Sequence, residues 1–336
     1  MKLYNKLIYI ILISCCLTQI SFTASSTTTS TKTGISGEYK PIVWGFSQFQ
    51  GTEPRLEDRT IVNEDLGLYA VLDGHGGTDV VEEAISAIPE SVKRYSKTKP
   101  SLVWPNIIAD SDAKIRKAKR GSIFHKKLIE GGTTFVGAII KGNIATIANL
   151  GDSRALLIRN SNVVAITDAH TPTNPEEKDR IESAGGLIQD GKLIGIRSIS
   201  NAPDALTVSR SLGDAPFKMP ATVLGDWSSA HPAIIEWPLE KGDIIVLVTN
   251  YTIEDSELAL AVHNELSGAS NDAQSYLLEN ECRTSHNNEK SGQRVEQGTD
   301  NTAIAIARAI RNVIIAKQNS NESPILNTTA MVIMYQ

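Results

Sequence analysis

Leu68-Tyr69-Ala70-Val71-Leu72-Asp73-Gly74-His75-Gly76-Gly77 is an apolar run that delivers an acid, a histidine and three glycines to one point. Leu68 to Leu72 mix aromatic and aliphatic residues without Gly or Pro, which predicts a buried strand, and the glycine-rich turn ends it. Asp73 then stands at a strand's end, where a carboxylate can reach a metal. Glycine on both sides of His75 lets carbonyls and ligands approach where a Cβ would obstruct them. Taken alone, the stretch also has a plainer reading, a hairpin turn at Asp-Gly with His75 on the surface.

The flanking sequence repeats the pattern. Pro41 to Phe49 is strand-like, and Gly51 to Arg59 carries a charged cluster around Glu57-Asp58. Val80, Ala84, Ile88 and Val92 predict a helix over Asp79 to Lys97, and Leu102 to Leu128 has similar but less regular spacing. After Gly131-Gly132-Thr133-Thr134, strands are expected at Phe135 to Ile140 and Ile144 to Leu150. Asp152 follows beside Gly151, and Ala155 to Ile158 should pair with Val163 to Ile166. Pro175 opens a short helix that Gly185-Gly186 closes. Leu206 to Leu212 leads to Gly213-Asp214, Ile244 to Val248 is a buried strand, and Ser256 to Leu266 a helix. Asn280 to Thr299 is polar and reads as a loop, and the small and apolar alternation from Thr302 to Ala307 reads as a strand.

With 336 residues, 41% hydrophobic and 21% charged, the chain can bury one large core or two modest ones. A net charge of −5 argues against nucleic acid as a partner and against a basic membrane-binding surface. The one dense basic run, Lys114 to Arg120, reads as a solvated helix face. Lys2 and Lys6 precede an apolar block from Leu7 to Leu17, the outline of a secretory signal peptide over residues 1–24. The block is about half the roughly 20 residues a membrane span needs, so no anchor is expected in the mature chain. A Ser/Thr-rich leader follows over 25–39, a folded domain is expected over 40–310, and a C-terminal tail over 311–336. Cys15 and Cys16 would leave with the signal peptide, and Cys282 alone cannot close an internal disulfide. The expected destination is the medium or the secretory lumen. Asn321 and Asn327, in the polar tail, read as glycosylation acceptors, while Asn250 in Asn-Tyr-Thr should be buried and unmodified.

Acids recur at strand ends: Asp58, Asp73, Asp152, Asp214 and Asp300. Each alone is an ordinary turn or cap residue. Together they would repel one another unless hard cations neutralised them, which points to Mg²⁺ or Mn²⁺.

Leu56-Glu57-Asp58, Val71 to Gly77, Gly131 to Thr134, Ala148 to Ala155, His170 with Pro172, Leu206 to Asp214, and Gly298 to Asn301 occur in the order seen in type 2C metal-dependent protein phosphatases. The resemblance covers Pro41 to Ala307. It implies an α+β fold, a four-layer α/β/β/α sandwich of two antiparallel sheets flanked by helices. It also implies a binuclear Mg²⁺ or Mn²⁺ centre hydrolysing phosphoserine and phosphothreonine. The expected partner is a phosphoprotein or another protein, and the chain is expected to be a monomer. Carried over by position, Asp73 would bridge both metals and the Gly74 carbonyl would bind one. Glu57 and Asp58 would hold waters and the second ion. Asp300 would be a further ligand beside Asn301, and Asp152 would serve a weaker third ion. His75 would act as general acid. Gly213-Asp214 and Arg210 would chiefly shape the sheet edge.

The chain departs from that pattern at two positions that matter. Ile244 to Val248 should deliver an Asp-Gly pair, and Asn250-Tyr251 stands there. An amide oxygen can touch a metal but brings no charge. Four residues before Glu57 the family places a phosphate-gripping arginine, and this chain has Glu53. Arg55, on the same face of an extended segment, either replaces it or pairs with Glu53 or Glu57. Ala169 stands where Asp usually precedes His170, and Ile253-Glu254 where a Trp-Asp pair is common. These departures predict a weak or silent centre, with one good metal position and a damaged second. The competing expectations are an active protein phosphatase and an extracellular hydrolase of small phosphate esters.

Overall fold

The computed structural model describes residues 42–122, 125–128, 130–195, 205–218, 228–268, 294–320 and 325–336. The signal peptide, the leader, Cys282 and Asn321 lie outside these residues.

In chain order the main strands are β1 (Ile42–Phe49), β2 (Arg59–Asn63), β3 (Leu68–Leu72), β4 (Phe135–Lys141), β5 (Ile144–Leu150), β6 (Arg154–Arg159), β7 (Asn162–Ile166), β8 (Ala233–Pro238), β9 (Ile244–Val248), β10 (Arg294–Gly298) and β11 (Thr328–Tyr335). The helices are α1 (Asp79–Arg94), α2 (Pro100–Lys117), α3 (Pro175–Ser183), α4 (Asp255–Ser267) and α5 (Asn301–Ser320). One antiparallel sheet has the order β8-β5-β4-β3-β2 and the other β7-β6-β9-β11-β1-β10.

Strand alternation builds the layers. On β3, Tyr69 and Val71 point between the sheets, where they meet Trp44, Ile147, Leu247 and Met331. Leu68, Ala70 and Leu72 point the other way, against Val80, Ala84 and Ile88 of α1 and Trp104 and Ile108 of α2. Both faces of β3 are buried, which is why it reads as a continuous apolar run. On the far side, Leu156, Val246, Ala330 and Val332 pack against Leu258 and Val262 of α4 and Ile306, Ile310 and Ile314 of α5. The result is the expected four-layer sandwich.

Five local expectations are corrected. The segment Thr302 to Ala307 is not a strand but the start of α5. Ala303, Ile306, Ala307, Ile310 and Ile314 are buried at helical spacing, and six residues of small and apolar alternation are too few to separate the two periods. The C-terminal stretch 311–336 is not a tail, because α5 runs to Ser320 and β11 lies between β9 and β1 in the six-stranded sheet. Leu102 to Leu128 is helical only to Lys117, and Lys119–Ser122 pairs antiparallel with His125–Leu128. Within the expected loop Asn280 to Thr299, Arg294–Gly298 forms edge strand β10 beside β1. The basic run is not simply solvated. Lys114 pairs with Glu90 at 2.8 Å and Arg116 with buried Asp112 at 2.9 Å.

Candidate metal centre

The cleft lies where β3, β5, β9 and β11 deliver their ends, and its volume is about 990 Å³. Asp73 is fixed by its backbone: its N–H donates to Thr134 Oγ1 at 3.2 Å, and its carbonyl accepts from Thr133 Oγ1 at 3.0 Å and from the Thr134 N–H at 2.9 Å. Thr134 Oγ1 also bonds Ser153 Oγ at 2.7 Å, which ties the Asp73 turn to the turn carrying Asp152.

After Asp73 the chain forms a second, small sheet. Gly74–His75 pairs with Gly132–Thr133, which pairs in turn with Leu212–Gly213. This sheet brings His75 to Asp214, with Nε2 2.9 Å from each carboxylate oxygen. A Cβ on Gly132 would overlap both the Asp214 carboxylate and the His75 ring, so glycine is required there. Asp214 is 4% exposed and accepts from Ser211 Oγ at 2.5 Å. Its loop is held by Asp112, which accepts from the Gly213 N–H and from buried Lys218, both at 2.9 Å. Burial alone would lower the His75 pKa, but the hydrogen bond and charge of Asp214 outweigh it and hold the imidazole above its ordinary value. Asp214 is therefore part of the site, and the expectation that it only shapes the sheet edge is corrected. Gly213-Asp214 repeats the glycine-acid signature of the other site turns, which was the available signal. Arg210 does have a structural role, donating to Glu177, which also accepts from Arg180 and Ser209.

The remaining acids are deeper. Asp58 is fully buried, and its Oδ2 accepts from Thr249 Oγ1 at 2.8 Å and Thr329 Oγ1 at 2.6 Å. Its Oδ1 has no hydrogen-bond partner among the described residues. Burial, only partly offset by the two hydroxyls, pushes Asp58 up to about 6. Burial and then the neighbouring Asp58 and Asp152 hold Asp73 well above the carboxylate range. Burial also raises Asp152. Glu57, Asp73, Gly74, Asp152 and Asn250 line the cleft, as do Glu53 and Arg55 at its edge. Arg55 is exposed and makes no ion pair with either glutamate among the described residues.

Asn250 has a left-handed φ of 51°, and its Nδ2 donates to Asp73 Oδ2 at 3.0 Å and to the Asn327 carbonyl at 2.7 Å. Asn327 is 5% exposed; its Oδ1 accepts from the Glu57 N–H and its Nδ2 donates to the Gln50 carbonyl at 2.7 Å. Buried and bonded through both ends of its amide, Asn327 is a residue of the cleft rather than an exposed glycan acceptor, and the tail reading concealed it. Asp300 is the converse case and is corrected. It caps α5 by accepting from the Ala303 N–H at 3.0 Å, and the preceding Thr299 bonds Trp44 on β1. Phe49, opposite Thr328, marks the cleft end of β1 five residues away, so Asp300 lies about 17 Å along the strand.

The acids of the cleft offer oxygen donors, the chemistry of a hard divalent cation. A cation would relieve the repulsion that raises Asp73 and could use the orphaned Asp58 oxygen. Among the described residues, however, no three His, Cys, Asp or Glu side chains form a ready-made ligand set. Asp73, Glu57 and Gly74 line one cleft, together with Asn250 and Asn327. A second ion would meet the two amides.

Two stacked antiparallel sheets carrying acids and a histidine at one end define a sandwich of the metal-dependent phosphatase class. Residues 44–256 match the family model for protein phosphatase 2C, and the chain belongs to that family. Probable protein phosphatase 2C 55 of Oryza sativa subsp. japonica is 30% identical over 218 residues, 62% of this chain and 53% of that protein. Probable protein phosphatase 2C 4 of Paramecium tetraurelia is 31% identical over 201 residues, 56% and 64% of the two chains. The chain thus spans about half to two thirds of the length of these relatives. In fold it resembles the serine-threonine phosphatase 2C of Toxoplasma gondii, with a TM-score of 0.61 at 16% identity, covering 88% of this chain and 96% of that one. A C. elegans sex determining protein gives a TM-score of 0.59 at 19% identity, covering 90% and 66%.

Proposed function

We propose that this chain is a secreted phosphatase-like domain that binds a phosphorylated protein partner and hydrolyses phosphoserine or phosphothreonine weakly or not at all. The observation that carries this reading is the Asn250 amide, bonded to Asp73 where the family resemblance calls for a carboxylate. Losing one anionic ligand leaves more of the repulsion between paired cations uncancelled; even an outer-shell defect costs about 10–100-fold in metal affinity. The position of Asp300, far along β1, and the charge of Glu53 add to this. Asp73, Glu57 and the Gly74 carbonyl would hold one Mg²⁺ or Mn²⁺, with Asp152 nearby. A bound ion would supply charge for the phosphate and acidity for an attacking water. Arg55, which lines the cleft and makes no ion pair among the described residues, would take a phosphate oxygen. His75, oriented by Asp214, is the group available to give the leaving hydroxyl its proton. Entry into the secretory pathway rests on the N-terminal apolar block.

A Mn²⁺-dependent assay on a phosphopeptide, with Asp73→Asn as control, tests this. Little or no turnover with retained phosphopeptide binding is expected. Robust turnover abolished by that substitution rejects the binding-only reading in favour of an active enzyme, and a preference for small esters over peptides would identify the third reading.

A further inference from the structure

We infer that Asn250 and Asn327 form a built-in amide clasp that holds the acidic strand ends together without a second metal ion, so that the folded state of this centre is independent of divalent cations. Four chain segments meet at the clasp. Asn250 follows β9, Asn327 precedes β11, Asp73 follows β3, and Gln50 and Glu57 lie in the β1–β2 loop. Asn250 Nδ2 joins the first three, by its bonds to Asp73 Oδ2 and the Asn327 carbonyl. Asn327 joins the fourth, with Oδ1 on the Glu57 N–H and Nδ2 on the Gln50 carbonyl. Those two partners fix the amide's orientation, because one is a donor and the other an acceptor.

An aspartate at either place would not be equivalent. At 250 it would set a carboxylate against Asp73, itself crowded by Asp58 and Asp152; at 327 it would turn an oxygen toward the Gln50 carbonyl. Threonines beside the clasp complete it. Thr249 donates its N–H to the Thr329 carbonyl at 3.0 Å and accepts the Thr329 N–H on Oγ1 at 2.9 Å, and both hydroxyls bind Asp58. An amide N–H₂ carries partial positive charge and supplies, at Asp73, the role a cation would otherwise have. The clasp presupposes the one-ion centre proposed above, yet it is read out in stability rather than turnover, so each can fail without the other.

The test is thermal unfolding of the full chain in EDTA and in Mn²⁺ for wild type, Asn250→Asp, Asn327→Asp and Asn250→Gly. Wild type should be folded in EDTA and gain from Mn²⁺ no more than the binding of a single ion supplies. Asn250→Asp and Asn327→Asp should each lower the EDTA midpoint by about 4 °C or more, and Asn250→Asp should bind Mn²⁺ at least about 10-fold more tightly. Asn250→Gly separates clasp from charge, because glycine suits φ 51° and adds no carboxylate. An idle side chain would leave it as stable as wild type, whereas the clasp requires a loss of about 2–4 °C. Asn250→Gly matching wild type in EDTA overturns the proposal, as does a wild type that needs Mn²⁺ to fold. If Asn250→Asp does not fold in EDTA, the glycine variant decides.

Discussion

The two sides of the cleft floor are built on different principles. On the Asp73 side the site is local. A ten-residue stretch supplies the acid, the Gly74 carbonyl and His75, and the Gly132–Thr133 segment fixes them through backbone bonds. On the Asn250 side the site is assembled from two sheet-centre strands far apart in sequence, and its parts are neutral amides bonded to each other. The first side keeps charge for a cation and a proton for a leaving group. The second keeps shape. A phosphatase sandwich can therefore lose metal-binding charge on one side without losing the architecture of the other, provided something neutral replaces the ionic cross-link.

The largest expected effect comes from removing the charge on the first side. Asp73→Asn should weaken Mn²⁺ binding by more than about 100-fold, measured by calorimetry, since the loss is of a direct ligand rather than a supporting one. Next is the second side's anchor. Thr329→Val removes a hydroxyl from buried Asp58 and should cost about 1.5–3 kcal/mol of stability in a denaturant titration. A cost near zero would mean the two sides are not mechanically joined through Asp58. A third effect belongs to His75. Asp214→Asn should move its imidazole pKa downward, followed by NMR titration, because Asp214 is what raises it.

A fourth effect belongs to the turn that carries Asp152. His170 is buried, its Nδ1 accepts from the Gly151 N–H, and burial, followed by the charge of Arg210, lowers its pKa to about 4. Between pH 6.5 and 4 the unfolded chain therefore binds a proton that the folded chain refuses, and this residue's contribution to stability falls as pH falls. The slope is at most about 1.4 kcal/mol per pH unit. Asp58 acts with the opposite sign, because its raised pKa makes the protonated folded form the favoured one in acid. Comparing His170→Asn with wild type across this range isolates the histidine, and the stability difference between the two should shift in the variant's favour as the pH falls from 6.5 to 4.

Much of the sandwich was legible because its strands carry residues buried on one or both faces, as Leu68 to Leu72 do. Asp73 and His75 could be placed because a strand end and its glycines are neighbours in sequence. The start of α5 was misread because small and apolar residues suit either period over six positions, and that error carried Asp300 into the site and left Asn327 out. The pairing of His75 with Asp214 depends on a three-stranded sheet of two-residue strands, too short for any periodicity. Asn250 was singled out for the charge it lacks, while the bonds it makes depended on Asn327 and could not be read from its own neighbours.

The placement of β11 also bears on how the chain is made. β1 cannot be joined to β9 until β11, a strand that begins roughly 290 residues after Ile42, has been synthesised. At about 5–20 residues per second, β1 waits some 15–60 s with one long edge unpaired. During translation that edge must be shielded by a chaperone or by the exit channel, or it becomes a template for aggregation.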